Sequence, residues 1–553
     1  MRALFRLSIT TSLATGLLAS ACQSRREAVD LLVTNATVYT VDSTFSKAQA
    51  FAVRDGRFVA VGSTADLQGR YQAARTVDAS EQFVYPGFYD AHCHFYRYAL
   101  GLRSANLVGA SSWAETVGRL ARHRQQRPQD AWLTGRGWDQ NDWPGQRFPT
   151  KDTLDALFPG VPVLLVRVDG HAALVNQKAL DLAGITAATP ISGGVIGRDA
   201  RGRLTGLLVD NAVKLVASKI PDPAPAEADA LLLQGQQNCL AVGLTSLADA
   251  GLDREDIERI AALQQAGRLH LRLYTMLNPT PENKAYYLPR GPYFSDNLTI
   301  SSFKIYADGA LGSRGASLLA PYTDRPHERG FLLQKPDYYR SIARELAATK
   351  FQMNTHAIGD SANRLLLDIY GAVLKGHNDR RWRIEHAQIV SQQDIPKFGQ
   401  YSIVPSVQPT HATSDMYWAG ERLGQRRLPD AYAYKALLAQ YGQVALGSDF
   451  PVEDINPLYG FHAAVARQDA KNYPAGGFQP ENALTREQAL RGMTTWAAHA
   501  AFEDRRKGQI KPGMLADFVV LNEDLLTAPN EQLRGLKVRQ TWIGGRQVFG
   551  NEQ

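Results

Sequence analysis

Two histidines separated by one residue, His92 and His94, are the strongest chemical signal in the sequence. They end the segment PGFYDAHCH, which follows an apolar run and is therefore expected to lie at the carboxyl end of a β-strand. Residues i and i+2 of a strand point to the same face, so both imidazoles can bind one metal ion while Cys93 points into the packing. Two histidines at this spacing also occur by chance, so the pair alone does not establish a metal site.

Three later strand-like runs also end in a residue that can bind a metal. The runs FQMNTH, RWRIEH and VALGSD end at His356, His386 and Asp449. Imidazole combined with carboxylate suits zinc and related ions, not calcium or an iron–sulfur cluster. We therefore expect these strand ends to converge on one metal site.

The middle of the chain alternates apolar strand-like runs with helical stretches, which indicates βαβ units and a parallel sheet. Examples are the runs at 301–306, 352–356 and 401–407 and the helical stretches at 255–266 and 361–375. About eight such units would close into a (β/α)₈ TIM-like barrel, whose active site lies at the carboxyl ends of the strands. An open flavodoxin-like sheet is the alternative, but the sequence has no Gly-rich phosphate loop.

Both ends of the chain alternate apolar and polar residues in short runs separated by the turn signals Asp55-Gly56 and Gly544-Gly545. They predict a small β-sandwich built from both termini. The expected α/β organisation is a composite β-sandwich (29–87 and 505–553) and a barrel (88–504) with an insertion at about 104–225, after the first barrel strand.

Residues 1–21 have the features of a signal peptide. Arg2 and Arg6 supply positive charge, and the apolar stretch 7–18 is too short to span a bilayer as a mature helix. Export from the cytoplasm is the expected result.

Cys22 directly follows this segment, an arrangement that resembles a bacterial lipoprotein signal. In that interpretation Cys22 is lipidated and 22–28 forms a short tether to the bacterial envelope. Gln23 after the cysteine favours the outer membrane by the same resemblance. The alternative is an ordinary secretory signal cleaved after Ala21, which also exports the protein.

Composition excludes several classes of protein and partner. Hydrophobic residues make up 44% of the 553 residues and charged residues 21%, close to the soluble globular average, which excludes a disordered or polytopic membrane protein. The net charge of +7 is thinly spread, so we expect no nucleic-acid partner and no membrane contact beyond the N-terminal lipid. Three cysteines cannot form a disulfide framework. Homo-oligomer formation is left open.

The segments PGFYDAHCH and KPGMLADFVVL and the three later strand ends together resemble the amidohydrolase superfamily. The similarity is greatest to the branch that includes the N-substituted formamide deformylases (amidohydrolase 3 type). It implies a barrel flanked by a β-sandwich of both termini. It also implies a set of metal ligands at the ends of barrel strands one, five, six and eight: His92, His94, His356, His386 and Asp449.

The same resemblance assigns a role to Lys304, which lies on the apolar run SSFKIYADG. In that branch this lysine is carboxylated on Nζ by carbon dioxide and bridges two divalent ions, expected here to be zinc. The alternative is a lysine paired with Asp308 or Glu385 outside the metal ligands, which would leave a single-metal site.

Four residues are candidate substrate contacts. Arg314 lies in a loop after the lysine and would bind a substrate carboxylate or carbonyl, or else pin the loop. In the insertion, GRGWDQ supplies Trp138 and Asp139, and DGHA supplies His171. The tryptophans fit either an apolar pocket wall or the core of the insertion itself.

These features predict an exported metal-dependent amidohydrolase that cleaves the C–N bond of a linear N-acyl or N-formyl amide, not a peptide, through a metal-bound hydroxide. Asp449 would accept the proton of the attacking water and pass it to the leaving nitrogen. One alternative is hydrolysis of a cyclic amide, ester or lactone at the same site. Another is a non-catalytic, lipid-anchored metal or solute binder, which would lack the base that Asp449 provides.

Overall fold

The computed structural model describes residues 26–550, so the predicted signal peptide and Cys22 lie outside the described residues. Within them, no helix is both long enough and apolar enough to cross a lipid bilayer. The strands, in chain order, are β1 (Glu27–Thr34), β2 (Thr37–Tyr39), β3 (Lys47–Ala48), β4 (Ala50–Arg54), β5 (Arg57–Gly62), β6 (Tyr71–Asp78), β7 (Phe83–Pro86), β8 (Phe88–Cys93), β9 (Ala105–Asn106), β10 (Leu133–Trp138), β11 (Val163–Arg167), β12 (Ala172–Val175), β13 (Gly194–Arg198), β14 (Leu204–Asp210), β15 (Leu244–Leu252), β16 (Arg272–Leu277), β17 (Tyr293–Phe294), β18 (Leu298–Tyr306), β19 (Gln352–Ala357), β20 (Arg383–His386), β21 (Val404–Val407), β22 (Ala445–Leu446), β23 (Phe518–Leu521), β24 (Val538–Ile543) and β25 (Arg546–Phe549).

Most of the helices lie between these strands. They are α1 (Thr64–Arg70), α2 (Phe95–Gly101), α3 (Trp113–Gln126), α4 (Asp152–Leu157), α5 (Gln177–Ala183), α6 (Asn211–Ala217), α7 (Pro225–Ala241), α8 (Arg254–Gln265), α9 (Pro281–Tyr287), α10 (Pro336–Ala347), α11 (Asp360–Leu374), α12 (Pro396–Gln400), α13 (Pro409–Asp415), α14 (Ala419–Leu423), α15 (Tyr434–Tyr441), α16 (Pro457–Ala466), α17 (Arg486–Gly492) and α18 (Thr495–Ala500). Short 3₁₀ turns lie at Gln140–Asp142, Leu428–Asp430, Pro480–Asn482 and Asn530–Gly535.

The ends of the chain form two small sheets. One contains N-terminal strands only, and the other combines strands from both ends. One sheet has the order β5-β4-β1-β6 and the other β25-β24-β23-β7-β2-β3, with β23 antiparallel to β7. Aromatic rings fill the space between them: Phe518 stacks on Trp542 with ring centroids 5.2 Å apart and meets Phe51 edge-on at 4.9 Å. A buried ion pair, Arg272 Nε to Asp517 Oδ2 at 2.6 Å, ties these sheets to the central barrel. The predicted domain bounds themselves stay a prediction.

Eight parallel strands form the central sheet, in the order β8-β15-β16-β18-β19-β20-β21-β22. The first and last strands meet, because the backbone N–H of Asp449 donates to the His92 carbonyl at 2.7 Å. The Asp90 carboxylate reinforces this closure by accepting a 2.6 Å hydrogen bond from Ser448 Oγ. This confirms the predicted (β/α)₈ barrel, and it brings the carboxyl ends of the strands onto one face.

The chain between the first and second barrel strands forms a third sheet, with the order β13-β14-β12-β11-β10-β9. Its core packs Leu107, Trp138, Trp143 and Leu165 together. The connection between β11 and β12, at one end of this sheet, reaches the barrel, where the His171 ring lies 5.1 Å from the His356 ring between centroids. The additional sheet therefore forms a wall above the carboxyl ends of the barrel strands.

Candidate metal centre

The structure brings together the side chains of the six predicted metal ligands. His92 lies on β8 and His94 directly follows that strand, and the Nε2 atoms of both face Asp449 Oδ1, at 3.5 and 3.2 Å. The His386 ring lies 5.0 Å from the His92 ring and 4.5 Å from the His356 ring between centroids. The donor groups from strands one, five, six and eight thus surround one small space.

Hydrogen bonds to the other ring nitrogens orient the first two histidines. His92 Nδ1 lies 2.5 Å from Glu385 Oε2, and His94 Nδ1 lies 2.9 Å from the Ala250 carbonyl. A carbonyl or carboxylate partner holds the proton on Nδ1 and leaves the Nε2 lone pair free to bind a cation, as outer partners of metal-binding histidines do. Burial lowers the pKa of both imidazoles, which favours the neutral form that binds metal.

Several nitrogen and oxygen atoms that could bind a metal ion in this space are buried and have no hydrogen-bond partner among the described residues. They are His356 Nε2, His386 Nδ1 and Asp449 Oδ1. An unpaired buried acceptor is costly, and a bound cation would supply the missing partner. Burial raises the pKa of Asp449, but contacts with His411 and His94 outweigh it and hold that pKa well below its usual value. These atoms therefore fit a divalent metal ion.

Lys304 is fully buried on β18, and its Nζ lies 2.9 Å from His92 Nε2. Burial lowers its pKa to about 8, although Glu385 and Asp449 act in the opposite direction. Within residues 26–550, Lys304 forms no ion pair with Asp308 or Glu385, the partners in the alternative of an outer lysine. A larger fraction of neutral amine, which is the form that reacts with carbon dioxide, follows from that lowered pKa.

Those two carboxylates have other partners. Asp308 accepts backbone hydrogen bonds from Ser317, Ile358 and Gly359 at 2.8 to 3.0 Å. Glu385 lies between His92 Nδ1 and the Arg383 guanidinium, whose Nε is 2.6 Å from Glu385 Oε1. Glu385 therefore orients His92, a predicted metal ligand, and the sequence analysis missed this role.

His411 is a second residue that the sequence analysis missed. It lies on α13, directly after barrel strand seven, with Nε2 3.5 Å from Asp449 Oδ2 and Nδ1 3.1 Å from Glu453 Oε1. Burial lowers its pKa, but hydrogen bonds with Asp449 and Glu453 outweigh burial and raise it to about 10. The available signal was its position four residues beyond the strand end at Val407, in the segment VQPTH.

A cavity of about 640 Å³ opens over these groups, and two of the predicted substrate contacts, Asp139 and His171, line it. His171 Nδ1 is held by Asp210 Oδ1 at 2.6 Å, and this contact raises the His171 pKa against the effect of burial. Asp139 pairs with the buried Arg167. The cavity has the size and mixed lining of a small-molecule site.

The other two candidate substrate contacts do not line the cavity, so for each of them the structure supports the other interpretation that the sequence analysis gave. Trp138 is fully buried in the core of the additional sheet, where its Nε1–H donates to the Leu165 carbonyl at 2.8 Å. Arg314 pairs with Asp324 at 2.6 Å, and Arg422 binds the same carboxylate oxygen at 2.6 Å. Arg314 therefore pins its loop, the alternative that the sequence analysis left open.

Comparison with known proteins gives matches along nearly the whole chain. The model of the Amidohydrolase family matches residues 75–549. The chain is 33% identical to Protein LONG AFTER FAR-RED 3 of Arabidopsis thaliana, over 94% of this chain and 91% of that protein. It is 30% identical to the N-substituted formamide deformylase of Arthrobacter pascens, over 93% and 97% of the two chains. Among solved structures, an uncharacterized metal-dependent hydrolase from Pyrococcus horikoshii has a TM-score of 0.73 and 25% identity, covering 90% of this chain and 99% of its own.

Proposed function

The chain belongs to the amidohydrolase family, and we propose that it hydrolyses linear N-acyl or N-formyl amides with two divalent ions held at the carboxyl end of the barrel. It is a metal-dependent hydrolase acting on C–N bonds. The similarity to an N-substituted formamide deformylase supports a linear amide as substrate. The observation that carries the proposal is the set of buried ligand atoms around Asp449 that have no hydrogen-bond partner among the described residues. Lys304 faces the same space.

His92, His94 and Asp449 would hold one ion, and His356 and His386 the other. Lys304, carboxylated on Nζ, would bridge the two, because a carbamate offers one oxygen to each cation. Zinc is the proposed metal, since three or more imidazoles and a carboxylate suit it well. Bound divalent ions supply Lewis acidity towards a carbonyl oxygen and lower the pKa of water.

The protein's own groups move the protons and orient the substrate. The low pKa of Asp449 keeps its carboxylate ionised, so Oδ2 can accept the proton that the attacking water loses. As the C–N bond breaks, the same proton passes to the leaving nitrogen, which departs as an amine. His171, held by Asp210 in the cavity wall, is positioned to donate a hydrogen bond to the substrate.

A hydrolysis screen tests the proposal. The metal-loaded protein would be assayed against N-formyl amines, N-acyl amines, cyclic amides, dipeptides and lactones of matched side chain. We expect the highest kcat/KM on a linear formyl or acyl amide. Preference for lactones or cyclic amides would favour the alternative substrate, and absence of any turnover would favour a metal or solute binder.

We expect the purified protein to carry close to two divalent ions per chain, most of them zinc. Five imidazole and carboxylate ligands together with a carboxylated lysine provide enough donors for two ions. Elemental analysis after dialysis, with and without zinc and bicarbonate during reloading, measures this. One ion or fewer after reloading would contradict the two-ion site.

We also propose that the protein is exported and anchored by a lipid on Cys22, with small amides reaching the cavity from outside the cytoplasm. The support is the sequence of residues 1–28 alone. Cys22→Ser should remove the acceptor thiol and yield a protein that is released from the membrane fraction or remains unprocessed.

Mass spectrometry of the N-terminal peptide checks this prediction. Lipidation predicts a diacylglyceryl mass on Cys22 in the unaltered protein. An unmodified peptide that begins at Cys22 would contradict lipidation, and a peptide that retains Met1 would contradict processing.

A further inference from the structure

Arg97 on α2 acts electrostatically on two other cationic side chains, Arg136 on β10 and Lys214 on α6. Arg97 and Arg136 line the cavity itself. Burial lowers the pKa of both Arg136 and Lys214, and the charge of Arg97 lowers both further. In the described part of the chain, none of them forms an ion pair with a carboxylate.

The Arg136 guanidinium is the most deeply placed of the three. Among the described residues its one hydrogen bond runs from Nη2 to the Val168 carbonyl at 3.1 Å, and its Nε is buried without a partner. A guanidinium carries five N–H donors, so most of its binding capacity is unused. Burial lowers the Arg136 pKa to about 10, although the charges of Asp449 and Asp169 act in the opposite direction.

The guanidinium lies on the wall that carries His171. The guanidinium packs against Gly170, the residue before His171, because a Cβ there would stand 3.4 Å from Arg136 Nη2, an ordinary van der Waals distance. Arg97 lies near Gly251 of the second barrel strand, where a Cβ would lie 3.6 Å from Arg97 Nη2 and 3.2 Å from the Tyr306 hydroxyl. Both arginines thus border the space directly above the strand ends.

The two carboxylates whose charges act on Arg136, Asp449 and Asp169, have nearer partners in His94 and Arg167. Asp139 and Asp169 both pair with Arg167, and Asp210 holds His171. Asp142 and Asp454 also line the cavity and could instead attract a cation. The distinguishing observation is the buried Nε of Arg136, which has no hydrogen-bond acceptor among the described residues.

We propose that the substrate is an amide that also bears a carboxylate, and that Arg136, with Arg97 beside it, binds this carboxylate. Arginine suits the role because its planar fork matches a carboxylate and can donate two parallel hydrogen bonds. The carboxylate lies either on the amine part, as in an N-formyl or N-acyl amino acid, or on the acyl part, as in a succinyl amide. This inference rests on the proposed amide hydrolysis and narrows its substrate class.

Matched substrates and variants test it. N-acetylphenylalanine and N-succinylphenethylamine carry the anion on opposite sides of the amide, and N-acetylphenethylamine carries none. Arg136→Gln should lower kcat/KM about 10- to 100-fold on the preferred acid, mainly through KM, and change the neutral amide little. Arg136→Lys should retain an intermediate rate. Arg254→Gln, which removes an exposed arginine on α8 paired with Glu258, is the matched control and should behave as the wild type.

Binding of 3-phenylpropionate, measured by calorimetry, gives a readout that does not require turnover. We expect Arg136→Gln to weaken this binding by a similar factor, with an unchanged unfolding temperature. Equal rates of the wild type on acidic and neutral amides, equal losses of Arg136→Gln on both, or unchanged binding would overturn the inference. Faster hydrolysis of a cationic amide by the wild type would also overturn the inference, and it would favour Asp142 and Asp454 as the substrate contacts. If no amide is hydrolysed, the proposed function fails, and the calorimetric comparison still decides whether Arg136 binds a carboxylate.

Discussion

Lys304→Ala is expected to lose one or both divalent ions and nearly all hydrolytic activity. Lys304 is fully buried, and its Nζ lies 2.9 Å from His92 Nε2, so alanine would leave an empty space among the metal ligands. The lowered pKa of about 8 favours the neutral amine, which adds carbon dioxide to give a carbamate. In the alanine variant no carbamate anion would lie between the two cations to offset their mutual repulsion.

The bridging role can be separated from a purely structural one. A short-chain carboxylic acid at high concentration should restore part of the activity of Lys304→Ala, because it can occupy the vacated bridge. Arginine stays protonated and cannot form the carbamate, so Lys304→Arg should be as impaired as the alanine variant. Lys284→Ala, which removes a partly exposed lysine on α9, serves as the control and should keep metal and activity. Wild-type metal content and rate in Lys304→Arg would exclude carboxylation.

Asp449→Asn is expected to keep the fold and much of the metal but to lose about 10²- to 10⁴-fold in kcat, the range typical of losing a general base. An amide cannot accept the proton of the attacking water at Oδ2. The backbone N–H of this residue, which closes the barrel onto the His92 carbonyl, is unaffected by the change. Steady-state kinetics together with elemental analysis of the same sample separate loss of the base from loss of the metal.

The control for this variant is Asp368→Asn on α11, which makes the same chemical change at a carboxylate that pairs with Lys397 outside the cavity. It should retain wild-type kinetics. Near-native turnover in Asp449→Asn would remove Asp449 from the role of base.

The barrel and its ligand set could be predicted from sequence because each ligand ends an apolar run. Parallel strands place such ends on one face, so His356, His386 and Asp449 could be expected to meet without knowledge of the packing. His411 and Glu385 were missed for a different reason. His411 lies beyond its strand, on a helix, and the role of Glu385 depends on a partner, His92, that is 293 positions away in the chain.

Arg136 and Trp138 point in different directions from β10 for a local reason. Arg136 and Trp138 are two residues apart in β10, and strand alternation would place them on the same face. The register shifts between them, and Gly137 has φ of 110°, so this bulge directs Arg136 to the cavity and Trp138 to the core. The pattern of apolar and polar residues does not reveal this bulge, so the sequence left Trp138 open between pocket wall and core and did not single out Arg136.

Crystallography with anomalous scattering at the zinc edge tests the central claim most directly. The account predicts two anomalous peaks about 3.5–4 Å apart, one bound by His92, His94 and Asp449 and the other by His356 and His386. Density for a carbamate on Lys304 Nζ should lie between them. Active protein with no metal at these residues would contradict metal-dependent hydrolysis at this site, and one peak beside an unmodified Lys304 would contradict the two-ion centre.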